Sequence, residues 1–240
     1  MDLTQLFDLT GYASNGYALL QLACALPTLA MGAIIVVRER GSHVGVIYFF
    51  VTLAIAIWYV GLSLGYVAPS AAAADIWIRF AHLGIAFIPT LALQMSWNLL
   101  RPPNRLRWLL VAGWIASFAF AAATLALPSA LFGAPHEYSW GYYGHYTFFS
   151  TLVIPFFGLY FSVTLYLYLQ AYKRARPGSI AAQRAKLLFV AWGIGSFSGV
   201  DFAPMYGIDM YPFGFLVVVV AVSLTTYVTA RYRQIGRAHV

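Results

Sequence analysis

The sequence predicts an all-α integral membrane protein, a bundle of seven transmembrane helices with its N-terminus outside and its C-terminus in the cytoplasm. Three observations predict it. Of 240 residues, 62% are hydrophobic and only 9% charged, far from the roughly 25% charged residues of soluble domains. The apolar residues gather into seven runs, each long enough to cross a hydrocarbon core of about 30 Å, which takes about 20 helical residues. The charges are then sorted between the two sides of that core. Setting aside Arg79 and Arg237, the other twelve of the fourteen basic residues follow the first, third or seventh run or lie between the fifth and sixth. By the positive-inside rule those loops are cytoplasmic. Six of the seven acids, all but Glu39, fall on the other side.

The runs lie at Asn15 to Val37, Val44 to Tyr66, Ile76 to Leu100, Trp108 to Leu127, Tyr146 to Tyr172, Leu187 to Ala203 and Pro212 to Ala230. Helices are expected because a bilayer offers no partner for backbone polar groups, and nothing shows the ten-residue alternation of a membrane barrel. Residues 1–14, with Asp2 and Asp8, read as a short outer segment at the interface, and no cleavable signal peptide is evident. Pro27 is expected to kink the first span. In the second, Gly61 and Gly65 form the small-residue spacing that lets helices approach closely. The single cysteine, Cys24, excludes an internal disulfide and reads as an apolar filler.

The third span carries the polar residues that organise the chain. Asp75, Arg79 and His82, with Ala86 and Pro89, fall on one stripe of a helix. An arginine in hydrocarbon costs about 2.5–3.5 kcal/mol on insertion scales, so Arg79 is expected to face the bundle or the interface with a partner. Asp75, one turn earlier, is the nearest candidate. Asp201, at the outer end of the sixth span, lies at a similar depth and is a second candidate across the bundle. These four residues form a candidate polar sensing cluster; the blander reading, an ion pair that fixes helix register, weighs more. A histidine placed between Arg79 and Asp201 would also be a proton-responsive element.

The longest outer loop, from Pro128 to His145, reads H-E-Y-S-W-G-Y-Y-G-H at its centre. His136, Glu137, Tyr138, Trp140 and His145, with Trp77, are the candidate lining or lid of an outward-facing pocket; the same aromatics also suit an interfacial belt. No metal site is expected, because the histidines match no ligand spacing. A retinal Schiff base needs a buried lysine, and Lys173 and Lys186 both stand at cytoplasmic ends. No nucleophile and base are placed as a hydrolase would need. The net charge of +7 is a topology signal, so no nucleic-acid partner is expected, and no cofactor.

The last third, from A-Q-R-A-K-L-L-F to T-A-R-Y-R, resembles the N-terminal seven-helix sensor region of bacterial histidine kinases and of some diguanylate cyclases. Gln183, Leu187, Tyr211, Pro212, Gly214, Arg231, Tyr232 and Arg233 carry the resemblance. W-Y-V-G-L-S-L-G-Y at Trp58 to Tyr66 and W-I-R-F-A-H-L-G-I-A-F-I-P at Trp77 to Pro89 are similar to it as well. The resemblance implies a non-catalytic input module of the bacterial inner membrane. It would respond to a small ligand or membrane signal and pass a shift through the seventh helix, leaving at Arg231, Tyr232 and Arg233. It also implies a homodimer and a cytoplasmic output domain beyond Arg233. The last six residues, I-G-R-A-H-V, translate a common sequencing-adapter read, so residues 1–234 are expected to form the sensor domain and 235–240 a non-native tail. Two rival readings stay open: a free-standing accessory subunit of a membrane complex, and a transporter, which the concentration of polar residues near one end disfavours.

Overall fold

The computed structural model describes residues 11–12 and 15–237, with side chains as far as Arg231. Most of the N-terminal segment, the side chains of Tyr232 and Arg233 and those of the expected tail lie outside the described residues.

Among the described residues, eight helices make seven spans. The first two are α1 (Gly16–Arg38) and α2 (His43–Tyr66). The third span is split into α3 (Ala71–Ile85) and α4 (Ile88–Leu100). The rest are α5 (Arg107–Ala126), α6 (Val153–Arg174), α7 (Ile180–Ser196) and α8 (Gly214–Arg237). All seven are long and apolar enough to cross a membrane.

Local chemistry sets their ends. Asn15, Ser42, Ser70 and Ser179 each stand in extended conformation before a helix and accept a bond from a backbone N–H of its first turn. Such caps satisfy donors that the helix itself leaves unpaired. Arg101 takes a left-handed φ of 46° after α4, ahead of Pro102 and Pro103. Pro27 leaves α1 continuous. Pro89, by contrast, marks the break between α3 and α4: it lacks an N–H and sits in the first turn of the new helix. The expected single stripe from Asp75 to Pro89 is therefore interrupted at Ala86 and Phe87.

The helix α2 is the centre of the bundle, packed on α1, α3 and α4, while α8 closes the ring between α7 and α1. Glycine makes the tightest of these contacts. A Cβ on Gly61 would lie 2.6 Å from the Ala81 backbone nitrogen, and one on Gly84 would lie 2.2 Å from the Ala54 carbonyl oxygen. The backbones of α2 and α3 thus touch, as small residues allow in membrane helices.

The loop before α6 is folded. The strands β1 (Phe132–Tyr138) and β2 (Gly141–Tyr146) pair antiparallel, with Tyr138 opposite Gly141 and Phe132 opposite Tyr146. The fifth span accordingly begins later than expected, with a 3₁₀ turn at Phe149–Leu152 leading into α6. The sixth span leaves α-geometry at Ser196 and ends in a 3₁₀ stretch, Phe197–Tyr206. Hairpin and 3₁₀ stretch pack together over one end of the bundle. Basic turns occupy the other, where Gly41–Val44 lie beside Arg101, and Arg101 and Arg105 beside Arg174.

Candidate functional site

The hairpin end holds a dense set of polar and aromatic contacts, and Asp201 lies beneath it. The 3₁₀ stretch carries Asp201 into the interior, where it is 1% exposed. Its Oδ1 accepts a 2.6 Å hydrogen bond from the Gly214 N–H, the first residue of α8. Gly214 has to be glycine here, since an added Cβ would fall within 2.7 Å of the carboxylate. The other oxygen, Oδ2, is buried with no hydrogen-bond partner among the described residues. A carboxylate at a helix N-terminus is favoured by the helix dipole as well as by the N–H it receives.

Tyrosines bind this node to three other elements by donating to backbone carbonyls. Tyr143 of β2 donates to the Asp201 carbonyl at 2.8 Å, Tyr138 of β1 to Pro204 at 2.7 Å, and Tyr59 of α2 to Phe215 at 3.1 Å. Aromatic contacts fill the space between. Trp140 stacks on Tyr138 with centroids 4.8 Å apart and meets Tyr66, Tyr143 and Tyr211 edge-on at 5.2–5.8 Å. Asn15, the cap of α1, donates to the Trp140 carbonyl. The turn that presents Trp140 needs Gly141, whose φ of +126° no L side chain adopts readily and whose backbone lies against Tyr66. Burial holds the Tyr143 and Tyr146 hydroxyls well above the usual phenol range. Burial, and next the charge of Asp201, push Tyr211 up to about 12.

The four residues of the expected sensing cluster do not come together. Arg79 is ion-paired with Asp75 on the flank of α3, with 32% of its side chain exposed. It does not pair with Asp201, whose own partner is Gly214 N–H. His82 is fully buried between Ile78 and the hairpin: Nδ1 is 2.7 Å from the Ile78 carbonyl oxygen and Nε2 is 2.9 Å from the Tyr146 hydroxyl. A carbonyl only accepts, so the neutral ring carries its proton on Nδ1 and receives the Tyr146 hydroxyl at Nε2. The histidine fastens α3 to β2, and the expected reach to Asp201 is not made.

The expected lid divides in the same way. Tyr138 and Trp140 point inward and are buried, whereas His136, Glu137 and His145 are exposed on the hairpin's outer face. Trp77 belongs to neither group; its Nε1 donates to the Tyr12 hydroxyl at 2.8 Å on the far flank of α3. The tyrosines that make the node, Tyr59, Tyr66, Tyr143 and Tyr211, were not singled out as site residues. They sit in ordinary apolar or aromatic runs. The W-Y-V-G-L-S-L-G-Y string, the G-Y-Y-G string and the Tyr211–Gly214 stretch are what set them apart in the sequence.

Comparison with known families identifies a match. The family described as the N-terminal 7TM region of histidine kinase matches residues 20–233. No curated protein matches the chain.

Proposed function

The chain belongs to the N-terminal seven-helix regions of histidine kinases, a multi-pass membrane family of sensory rather than catalytic regions, and on that premise we propose that it senses at the hairpin end and signals along α8. The observation that carries this reading is the Asp201–Gly214 bond. It ties the N-terminus of the seventh helix to a node that also takes in α1, α2 and the hairpin. Anything that shifts the hairpin or the 3₁₀ stretch therefore pulls on α8, whose other end leads toward an output domain. The node acts as a two-state element, and a stimulus works by favouring one arrangement over the other.

The distribution of basic residues supports an orientation with the hairpin outside and Arg231, Tyr232 and Arg233 in the cytoplasm. In this reading the protein sits in the bacterial inner membrane and pairs as a homodimer with output domains of kinase or cyclase type. Asp75 and Arg79 then form an interfacial ion pair on the outer flank. Residues 235–240 are adapter-derived and the natural frame continues. A genomic DNA read across the codon for Gln234 tests this: a kinase or cyclase domain in frame is expected, and a natural stop there would favour the accessory-subunit reading.

The signalling role is tested by grafting residues 16–233 onto the cytoplasmic part of a histidine kinase and measuring basal autophosphorylation in vesicles. Asp201→Ala is expected to shift the basal level strongly in one direction, with membrane insertion intact and Asp201→Asn close to the parent. Equal output from all three chains would defeat the proposal.

A further inference from the structure

Arginines at the basic end converge on one cleft. Arg101 follows α4, Arg105 lies in the 3₁₀ turn Asn104–Leu106 ahead of α5, and Arg174 is the last residue of α6. Together with Pro102, Pro103 and Gln170 they line a cleft of about 400 Å³, within the roughly 300–1,000 Å³ typical of small-molecule sites. The loop that presents two of them is restrained. Arg101 holds its left-handed φ of 46°, and the two prolines after it have φ fixed by their rings. Further into the bundle, the Tyr160 hydroxyl of α6 donates to the Leu109 carbonyl of α5 at 2.7 Å, which sets the spacing of the helices on either side.

Two features define the occupant. No acidic residue lines the cleft, and among the described residues none of the three guanidinium groups is paired with a carboxylate. Three like charges facing one space repel, so a net anion is favoured there over a zwitterion that brings its own cation. The guanidinium fork matches the oxygens of a phosphate. The cleft also has an apolar side. Leu100, Leu106 and Leu167 line it and belong to the packing that joins α4, α5 and α6. Tyr166, another lining residue, is 55% exposed and stands about two helical turns before Arg174, roughly 12 Å closer to the membrane core. A small soluble anion would use the arginines and leave this apolar reach unfilled; a lipid uses both.

We propose that the cleft binds an anionic phospholipid from the leaflet at the basic end, with Arg101, Arg105 and Arg174 around its phosphate and one acyl chain descending past Leu106 and Tyr166. Basic pockets between membrane helices recognise acidic headgroups in this way. Binding depends on the bundle lying in a bilayer and not on the signalling role, and it is measured without any output domain.

The test uses the full chain in phosphatidylcholine vesicles and, as probe, phosphatidylglycerol carrying a diazirine near the glycerol end of one acyl chain. After photolysis, mass spectrometry is expected to find saturable labelling at Leu106 and Tyr166, competed by unlabelled phosphatidylglycerol. Arg105→Gln combined with Arg174→Gln should raise half-saturation about twentyfold, from about fivefold for each arginine near the surface. The charge-matched pair Arg107→Gln with Lys173→Gln alters exposed residues that do not line the cleft. Across screening solvent it should change half-saturation less than about twofold. All four side chains are exposed, so both variants keep the fold. Equal weakening by the two pairs would show diffuse surface charge and overturn the proposal, as would equally strong labelling by phosphatidylcholine with the same diazirine. Competition by soluble glycerophosphate at concentrations comparable to the lipid would identify a free phosphate as the ligand and reject the lipid.

Discussion

The two ends of the bundle are built on opposite principles. At the hairpin end, tyrosine hydroxyls donate to backbone carbonyls of the segments around Asp201 and α8. At the basic end, short turns at 39–42, 101–106 and 175–179 join the helices, and arginines such as Arg101, Arg105 and Arg176 are exposed. One end is fixed by specific, directional bonds; the other is held by helix packing and solvated charge. The lesson concerns α8, which begins inside the fixed end and finishes at the loose one. Midway, Tyr48 also donates to the Val222 carbonyl at 2.9 Å. A helix clamped at its start by directional bonds can carry a small displacement toward its other end.

Substitutions should separate the two ends clearly. The largest effect is expected at Gly84, where a valine would collide with the α2 backbone. Overpacking and lost helix contact should destabilise the bundle by about 3 kcal/mol, seen as a lowered unfolding midpoint in detergent. Asp201→Ala follows, because it leaves the Gly214 N–H buried without an acceptor, at about 1–3 kcal/mol; Asp201→Asn retains an acceptor and should cost less. Tyr143→Phe removes a single hydrogen bond and should cost about 1 kcal/mol. Arg79→Gln breaks a partly exposed i,i+4 ion pair, and its effect should stay below about 1 kcal/mol. If Arg79→Gln proved as damaging as Asp201→Ala, the contrast between a fixed node and a solvated flank would fail.

Alkaline titration sharpens the same contrast. Tyr211 is pushed up to about 12, with Tyr143 and Tyr146 held well above the usual range, whereas an unfolded chain releases these protons near pH 10. Above pH 10 the unfolded state therefore binds fewer protons than the folded one, and stability falls with rising pH. The contribution of Tyr211 should be complete below about pH 10 and lost as pH rises through about 12. Ultraviolet absorbance of tyrosinate, followed alongside unfolding, should show these tyrosines ionising late and together with loss of structure.

Much of this architecture is legible in the sequence because lipid imposes it. Seven apolar runs, the close approach at Gly61 and the Asp75–Arg79 pair all follow from spacing and hydrophobicity. The break at Ala86 was signalled by Pro89, but a long apolar run masks it, since neighbouring helices tolerate proline in membranes. The hairpin was harder to see: two short strands made largely of Gly and aromatic residues lack the alternation that marks longer ones. Asp201 was visible as a charge in an apolar segment, yet its partner was not. A backbone N–H leaves no trace in residue identity, so an arginine at similar depth was the natural expectation. Tyrosines that donate to carbonyls are hidden for the same reason.

The central claim is that the Asp201 node clamps the start of α8. Amide hydrogen exchange of the chain in vesicles, comparing the parent with Asp201→Ala, tests it most directly. Exchange should accelerate at Gly214–Val218 and in the hairpin peptide around Tyr143, with the turns at 101–106 and 175–179 unchanged. Unaltered protection at Gly214–Val218 would contradict the account.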